Sequence, residues 1–529
     1  MSPYEVMPFA GFGRGLNLRD KADAINEEEC IDALNVEFTE RGAVKQRAGY
    51  AVFTATALDG QGDTLHPHYE SDATKHLIVG DVATGQLTAL NTSGAEVDIE
   101  AGLSNGGCFG FQRFGAPGTE YTYIGNGVDE LWFYNGTAFS NVPDDGARVP
   151  PKGGALGLSP GQGGNTSNRL VNARFTTATG GPNGATTTPS TIWFSNPGDP
   201  TVWGDNNYLH LTPGDGESIQ ALVNWREFLF VFKETKFFVF TGETVSATGT
   251  PVFNYYTVDT GYGAVGPRAV TADDTGVYFA SRKGVHRTTG GEPERVSELI
   301  TPIFLGGAED YFTGGVLDHS VANLIAVNAF DGRLYVNYST AGTANDRTLV
   351  YDPTYEWWSL WDVAAADMCG FREGNREALF FTYPAGDNEV ARFGDYTNDA
   401  TAAIVSRWRS GWNDYGLPIV KTIRESKIWG SGVVKMAVSA DFAQGTGTLT
   451  TMDMRDAEAA TWGGTTWGGS TWSSGAARVP AGQRAHATRG TVFSTSLYNH
   501  TKNQEWIVAR LDHHLRESRH PTVRKGVPA

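Results

Sequence analysis

The sequence predicts an all-β protein, a β-propeller of short antiparallel strands with a C-terminal β-sandwich, and three observations carry that expectation. Nearly every apolar stretch is short, rich in Val, Ile, Phe, Tyr, Trp and Thr, and bounded by Gly, Asn or Asp. The stretches come in hairpin pairs that recur along the chain. Glycine (66 residues) and aromatic residues (12%) are abundant, which favours turns and strands over helix.

The pairs can be followed in order. His76-Leu77-Ile78-Val79-Gly80 turns at Ala83-Thr84-Gly85 into Leu87-Thr88-Ala89-Leu90, and Asn91-Thr92-Ser93-Gly94 leads back through Ala95-Glu96-Val97. Tyr121 to Ile124 meets Leu131 to Tyr134 across a turn whose Asn126-Gly127 supplies positive φ angles. Phe228 to Lys233 pairs with Phe237 to Gly242, and Gly276 to Ser281 with Gly284 to Arg287. Arg333 to Tyr338 is followed by Thr348 to Asp352 and by Trp357-Trp358-Ser359-Leu360-Trp361. Ala378 to Tyr383, with Val390 to Asp395, is the last pair. A spacing of roughly 40 to 60 residues, apart from one wider gap, suits four-stranded blades with loop insertions. A tandem of β-sandwiches would show the same alternation, so periodicity leaves that alternative open.

The wider gap holds residues 145–189, dense in Gly, Pro, Thr, Ser and Asn. It reads as an insertion with at most one short strand, at Arg169-Leu170-Val171, and is either a subunit contact or a surface loop. Beyond residue 400, Trp408 to Trp412, Lys421 to Arg424, Val434 to Phe442, Arg489 to Asn499 and Glu505 to Arg516 alternate as strands with one wet face do. The expected domains are therefore residues 1–50, an N-terminal helix and hairpin closing onto the propeller; 51–400, the propeller; and 401–529, the sandwich. The helix is expected over Glu27 to Leu34, whose carboxylates would occupy its first turn.

Charge and cysteine content exclude several functions. Lys plus Arg total 41 against 59 acidic residues, a net charge of −18, and no basic block marks a phosphate-binding face. An acidic chain could still line a channel through which DNA slides without being held. Cys30, Cys108 and Cys369 are too few and too scattered for a disulfide framework or a structural zinc site. No stretch approaches the roughly 20 apolar residues of a membrane helix and no basic-then-apolar leader opens the chain, so synthesis and folding in the cytoplasm are expected.

The N-terminal residues carry a resemblance. Gly15-Leu16-Asn17 is followed by Ala33-Leu34-Asn35-Val36 and then by Gly42-Ala43-Val44-Lys45-Gln46-Arg47-Ala48-Gly49-Tyr50. This order resembles the opening of tailed-bacteriophage tail proteins of the β-propeller nozzle, tail-hub or minor tail protein kind, and the likeness continues less specifically through most of the chain. The resemblance implies a structural protein of the virion tail, assembled as a homo-oligomeric ring, docking an adaptor, needle, fibres or tail tube, and passing phage DNA during genome ejection. A short-tail nozzle and a long-tail tip protein are both compatible with it.

No residue pattern points to catalysis, and the chain is expected to be no enzyme and to carry no cofactor or metal. Gly11-Phe12-Gly13-Arg14-Gly15 has the wrong spacing for a dinucleotide fingerprint, and Asp273-Asp274 lacks the ligand spacing of a calcium loop. His513 and His514 are neighbours on an expected strand and face opposite sides. Asp63 and other dispersed carboxylates could meet at a propeller mouth as in a glycosidase, which spacing alone cannot place. The candidate interface is Trp462, Trp467 and Trp472, five residues apart in a Trp-Gly-Gly run. Five is neither a strand nor a helix period, so the rings belong on successive turns, as a wedge against another subunit or as a stacking platform for a host glycan. The wedge is favoured, with a glycan-binding adhesion protein of the tail tip as the alternative and a propeller glycosidase behind it.

Overall fold

The computed structural model describes residues 5–9, 11–115, 120–143, 149–161, 169–245, 251–382, 388–416, 418–443, 449–454 and 482–517. Five stand-alone four-stranded antiparallel sheets follow one another between residues 64 and 295. Blade 1 runs from Thr64–Tyr69 to Glu96–Glu100, blade 2 from Gly110–Phe114 to Phe139–Asn141, and blade 3 from Gly153–Ser159 to Tyr208–His210. Blade 4 runs from Ala221–Trp225 to Pro251–Asp259 and blade 5 from Val270–Asp273 to Glu294–Arg295. Blade 6, from Ala326–Phe330 to Trp357–Trp361, has the same meander but continues through its last strand into a larger sheet. Blade 7 takes three strands from Met368–Glu373, Arg376–Thr382 and Val390–Phe393, and its fourth, Tyr50–Val52, from the N-terminal end of the chain. Among the described residues the propeller therefore has seven blades, six in separate sheets and one merged with the C-terminal strands.

The first strand of each blade lies nearest the axis, where successive first strands meet. Apolar faces then pack blade against blade. Ile78 and Ala89 of blade 1 meet Ile124 and Tyr134 of blade 2, Tyr123 meets Leu156 and Leu170, and Phe194 of blade 3 meets Phe240 of blade 4. Phe371 and Phe380 of blade 7 pack on Leu65 and Leu77 of blade 1, closing the circle. Fastening the last blade with an N-terminal strand leaves no open seam between first and last blades.

Blade 3 corrects the expectation of an insertion at 145–189. Gly153–Ser159 and Arg169–Phe175 pair along six registered positions, so this segment supplies two of the blade's four strands. Its glycines are there for crowding: a Cβ on Gly153 would lie 1.6 Å from the Asn172 side-chain oxygen. Glycine density that reads as loop in sequence is here an axial strand with no room for side chains.

The C-terminal region contains two sheets that share one strand, Lys421–Ala440. Its first half pairs with Gly482–Gly490 and Trp506–Glu517, and its second half with Thr450–Asp453 and Phe493–Asn499. Register shifts at Ile423/Glu425 and Trp429/Gly430 mark the irregularities where the strand departs from simple pairing. N-terminal strands complete both sheets. Glu5–Pro8 and Val44–Gln46 pair with Trp506–Glu517, and Glu29–Leu34 lies between Ser406–Ser410 and the last strand of blade 6. Phe9, Phe12 and Leu16 bury themselves with Trp408, Leu497 and Trp506 in this core.

The expected helix over Glu27 to Leu34 is thus a strand, Glu29–Leu34. The Glu29 carboxylate accepts from the Asn26 backbone N–H (2.9 Å) and the Asn17 side chain (2.8 Å), bracing the turn ahead of the strand. Five of its six residues are buried, because both faces are covered: Cys30 and Ala33 pack in the main core and Ile31 against Ala22 and Trp412. Trp357 to Trp361 are all buried and show no alternation because both faces are covered, Trp357 by Phe38, Trp361 by Phe393, and Trp358 at the Val296 carbonyl of the loop after blade 5.

Two buried histidines make the fold acid-sensitive. His68 bonds Thr122 across the blade 1–2 junction, and His286 lies between the rings of Tyr262 and Phe279. Burial, followed by nearby cations, lowers each from 6.5 to about 4. At these two residues the unfolded chain binds protons that the fold does not, so the stability each contributes is lost as pH drops from about 6.5 to about 4, while Asp367, pushed up to about 6, acts in the opposite direction. Thermal unfolding should show the melting temperature decreasing through this window, and His286→Gln should flatten the slope. An unchanged slope in that variant would remove His286 from the account.

Candidate functional site

The segment that carries the family resemblance has a definite place in the fold. Asn35 follows the strand Glu29–Leu34 in a left-handed conformation (φ 52°), which asparagine tolerates better than most residues. Its backbone N–H donates to the Leu360 carbonyl (2.7 Å). Its side-chain amide donates to the Asp362 carboxylate (2.5 Å) and the Val405 carbonyl (2.7 Å), while its side-chain oxygen accepts from Arg47 Nε (2.8 Å) and the Asp362 N–H (3.1 Å). Blade 6, the chain leaving blade 7 and the N-terminal strands therefore meet on one side chain.

Arg47 completes the joint. Its guanidinium, fully buried, donates two parallel bonds to Asp399 (2.8 and 2.5 Å) and lies over the Trp361 ring. Two residues on, Gly49 passes so close to Asn398 that a Cβ would lie 2.0 Å from its carbonyl oxygen. Tyr50 then opens the closing strand of blade 7 and packs its ring edge-on against Phe381 (4.9 Å) and Phe393 (5.9 Å). At the other end of the motif, Asn17 donates to Glu29 and Asp20 and accepts from the Arg19 and Asp20 N–H groups, fixing the entry loop.

The axial mouth is the second candidate. Where the chain enters the first strands of blades 1, 2, 5 and 7, a cavity of about 400 Å³ is lined by residues including Asp63, Asn105, Arg268, Asn345 and Ala366, together with Asp81 from the turn within blade 1. Asp63 is raised above its ordinary range by burial, against the pull of Arg268. Asp367, just behind, is pushed up to about 6 for the same reason. Their oxygens hold backbone: Asp63 accepts from Val82 N–H and the Thr64 hydroxyl, Asp367 from Leu65 N–H, and Asp81 from Ala83 and Thr84 N–H. The topology brings Asp63 to the mouth, but with both oxygens engaged in holding loops.

Other expected residues fall as follows. Both ring nitrogens of buried His513 are bonded, to Ser426 (2.7 Å) and Thr495 (2.9 Å), while His514 lies 3.9 Å from Glu425. Asp273 caps the turn into Gly276–Ser281, its carboxylate accepting from the Thr275 and Gly276 N–H groups. Among the described residues no three His, Cys, Asp or Glu side chains are grouped to hold a metal, and no helix is long and apolar enough to cross a membrane. Trp462, Trp467 and Trp472 lie outside the described residues. The outer edges of blades 4 and 1 expose Val252, Tyr255 and Tyr256, and Val97 and Ile99. Sequence reasoning missed Arg268 and Arg174 at the axis, since only the closed ring of blades brings positions 94 residues apart together.

Removing the buried arginine tests the joint. Arg47→Ala leaves Asp399 without its cation and should lower unfolding stability by about 3–5 kcal/mol, measured by chemical denaturation. A loss under about 1 kcal/mol would show that the joint does not hold the two parts together.

No family model matches the sequence, and no curated protein matches it. Among solved structures, the chain is similar to BBS1N in its crystal structure with ARL6DN, with a TM-score of 0.39 and 11% identity over 65% of this chain and 96% of that one. It is also similar to Sqt1 of Saccharomyces cerevisiae, with a TM-score of 0.38 and 10% identity over 72% of this chain and 98% of that one.

Proposed function

We propose that the chain is a structural, non-enzymatic component of a bacteriophage tail, a nozzle or tail-tip ring protein that docks neighbouring tail proteins. The observation that supports this reading is the use made of the residues that carry the resemblance to tail proteins. Asn17 fixes the N-terminal entry loop, and Asn35, Arg47, Gly49 and Tyr50 tie the N-terminal strands to blades 6 and 7 and the chain that leaves blade 7. A motif used in this way serves a protein whose task is mechanical.

In this reading several copies enclose the conduit for exiting DNA, and each propeller is a rigid block beside it. A net charge of −18 suits a wall past which DNA slides. The exposed apolar residues on the edges of blades 4 and 1 are candidate contacts for other copies and for the adaptor, needle, fibres or tail tube, and the Trp462, Trp467 and Trp472 run is a candidate from sequence alone.

Native mass spectrometry of the protein and imaging of particles test this reading. A closed ring at one level of the tail, in fixed copy number, is expected; a monomer absent from particles would refute it. Replacing Trp462, Trp467 and Trp472 together with alanine should block incorporation while leaving the melting curve intact. Normal particles that adsorb poorly to host cells would transfer the tryptophans to a glycan-binding role.

A further inference from the structure

The strand Trp506–Glu517 ends beside open apolar surface. Glu517 pairs with Lys421, the first residue of the shared strand Lys421–Ala440. The residues just ahead of Lys421 belong to no strand, and among them Ile419 is 44% exposed and Val420 39%. Neighbouring apolar side chains left open in this way mark a contact surface more than scattered ones do. Following the chain back from Lys421 leads to a groove. The Lys421 ammonium donates to the Asp414 carbonyl (2.6 Å), and Asp414 lines a cavity of about 340 Å³ with Asp23, Ile25, Glu27, Trp412 and Val492. Its walls are fixed: the Trp412 N–H donates to the Ala22 carbonyl (2.7 Å), the Asn413 side chain donates to Glu27 (2.8 Å), and Asn413 and Phe493 exchange backbone bonds (2.9 and 3.0 Å).

The groove pairs apolar walls with one sign of charge. Three carboxylates line it and, among the described residues, no Lys, Arg or His does. An adjoining cavity shares Asp23 and adds two carboxylates against a single cation, Lys21. The residues that follow Glu517 have the complementary make-up. Residues 518–529 hold Arg519, Arg524 and Lys525 beside Val523 and Val527, with no Asp or Glu, in a chain whose net charge is −18. The register sets their reach. Asp414 lies as many residues back from Lys421 as Arg524 lies forward from Glu517, so a segment laid antiparallel to the chain ahead of Lys421 brings Arg524 to Asp414. At about 3.3 Å per residue that path is at most roughly 25 Å long, with residues to spare.

We propose that residues 518–529 run back over Ile419 and Val420 of their own copy and dock in this groove, with Val523 on its apolar wall and Arg524 and Lys525 among Asp23, Glu27 and Asp414. The segment then straps the C-terminal sheets to the N-terminal entry loop. The short path from Glu517 favours the same copy over a neighbouring one. An exposed ion pair is worth little by itself, so the apolar cover and the grouped cations act together. The strap is independent of whether the chain belongs to a virion.

The test uses the full chain as a mixture of isotopically heavy and light copies, treated with a carbodiimide, which joins an amine to a carboxylate where the two touch. Mass spectrometry should find Lys525 linked to Asp23, Glu27 or Asp414 within one copy. Links between heavy and light copies would give the groove to a neighbour's segment and overturn the proposal, as would the absence of any link from Lys525 to these three. Hydrogen exchange supplies a second readout. With Arg519→Glu, Arg524→Glu and Lys525→Glu together, amides of residues 411–416 and 490–493 should exchange roughly tenfold faster than in the unaltered chain at low salt, and the difference should shrink at high salt. Equal exchange in the two proteins would overturn the strap. Should the triple variant melt early, the cross-link alone decides.

Discussion

One buried contact, between Asn35, Arg47 and the carboxylates of Asp362 and Asp399, sets the conditions for the rest of the molecule. A seven-bladed ring must close, and this one closes by bringing Tyr50–Val52 back to blade 7. That return is possible only if the preceding residues pass between blade 6 and the C-terminal sheets. The passage is apolar on nearly every side, so the chain's polar groups there must find partners inside the protein. Asn35 and Arg47 satisfy them, and the same bonds fix the register at which the ring is fastened. Removing either partner of such a pair is costly, because the other stays buried and charged.

A second consequence is that propeller and C-terminal strands are not separate bodies on a linker. Glu29–Leu34 hydrogen-bonds on one edge to Ser406–Ser410 and meets the outer strand of blade 6 on the other. The aromatic run Trp357 to Trp361 is buried on both faces, with Phe38 of the N-terminal segment on Trp357 and Phe393 of blade 7 on Trp361. A continuous sheet at this boundary leaves no flexible linker at which either half could move alone.

The blades with strong alternation were legible in sequence. Phe228 to Gly242 and Gly276 to Arg287 pair as their patterns imply, because one face of each strand meets a neighbouring blade. Blade 3 was not legible, since its axial strand is built from Gly153, Gly154 and Gly157, and crowding at the axis selects the residue that turns also select. The strand Glu29–Leu34 was mistaken for a helix because its early carboxylates match a helix start; tertiary pairing on both edges overrode that local signal. At the candidate sites, Asn35 and Arg47 could be picked out by resemblance but not assigned a task. Arg268 carries no local signature, since only the folded ring sets it beside Asp63 and Asp367.

Differential scanning calorimetry of the full chain tests the central claim that the N-terminal segment locks propeller and C-terminal sheets into one cooperative body. A single transition with equal calorimetric and van't Hoff enthalpies is the result this account requires. Two separable transitions, one surviving deletion of residues 401–529, would contradict it and return the propeller to the status of an independent domain.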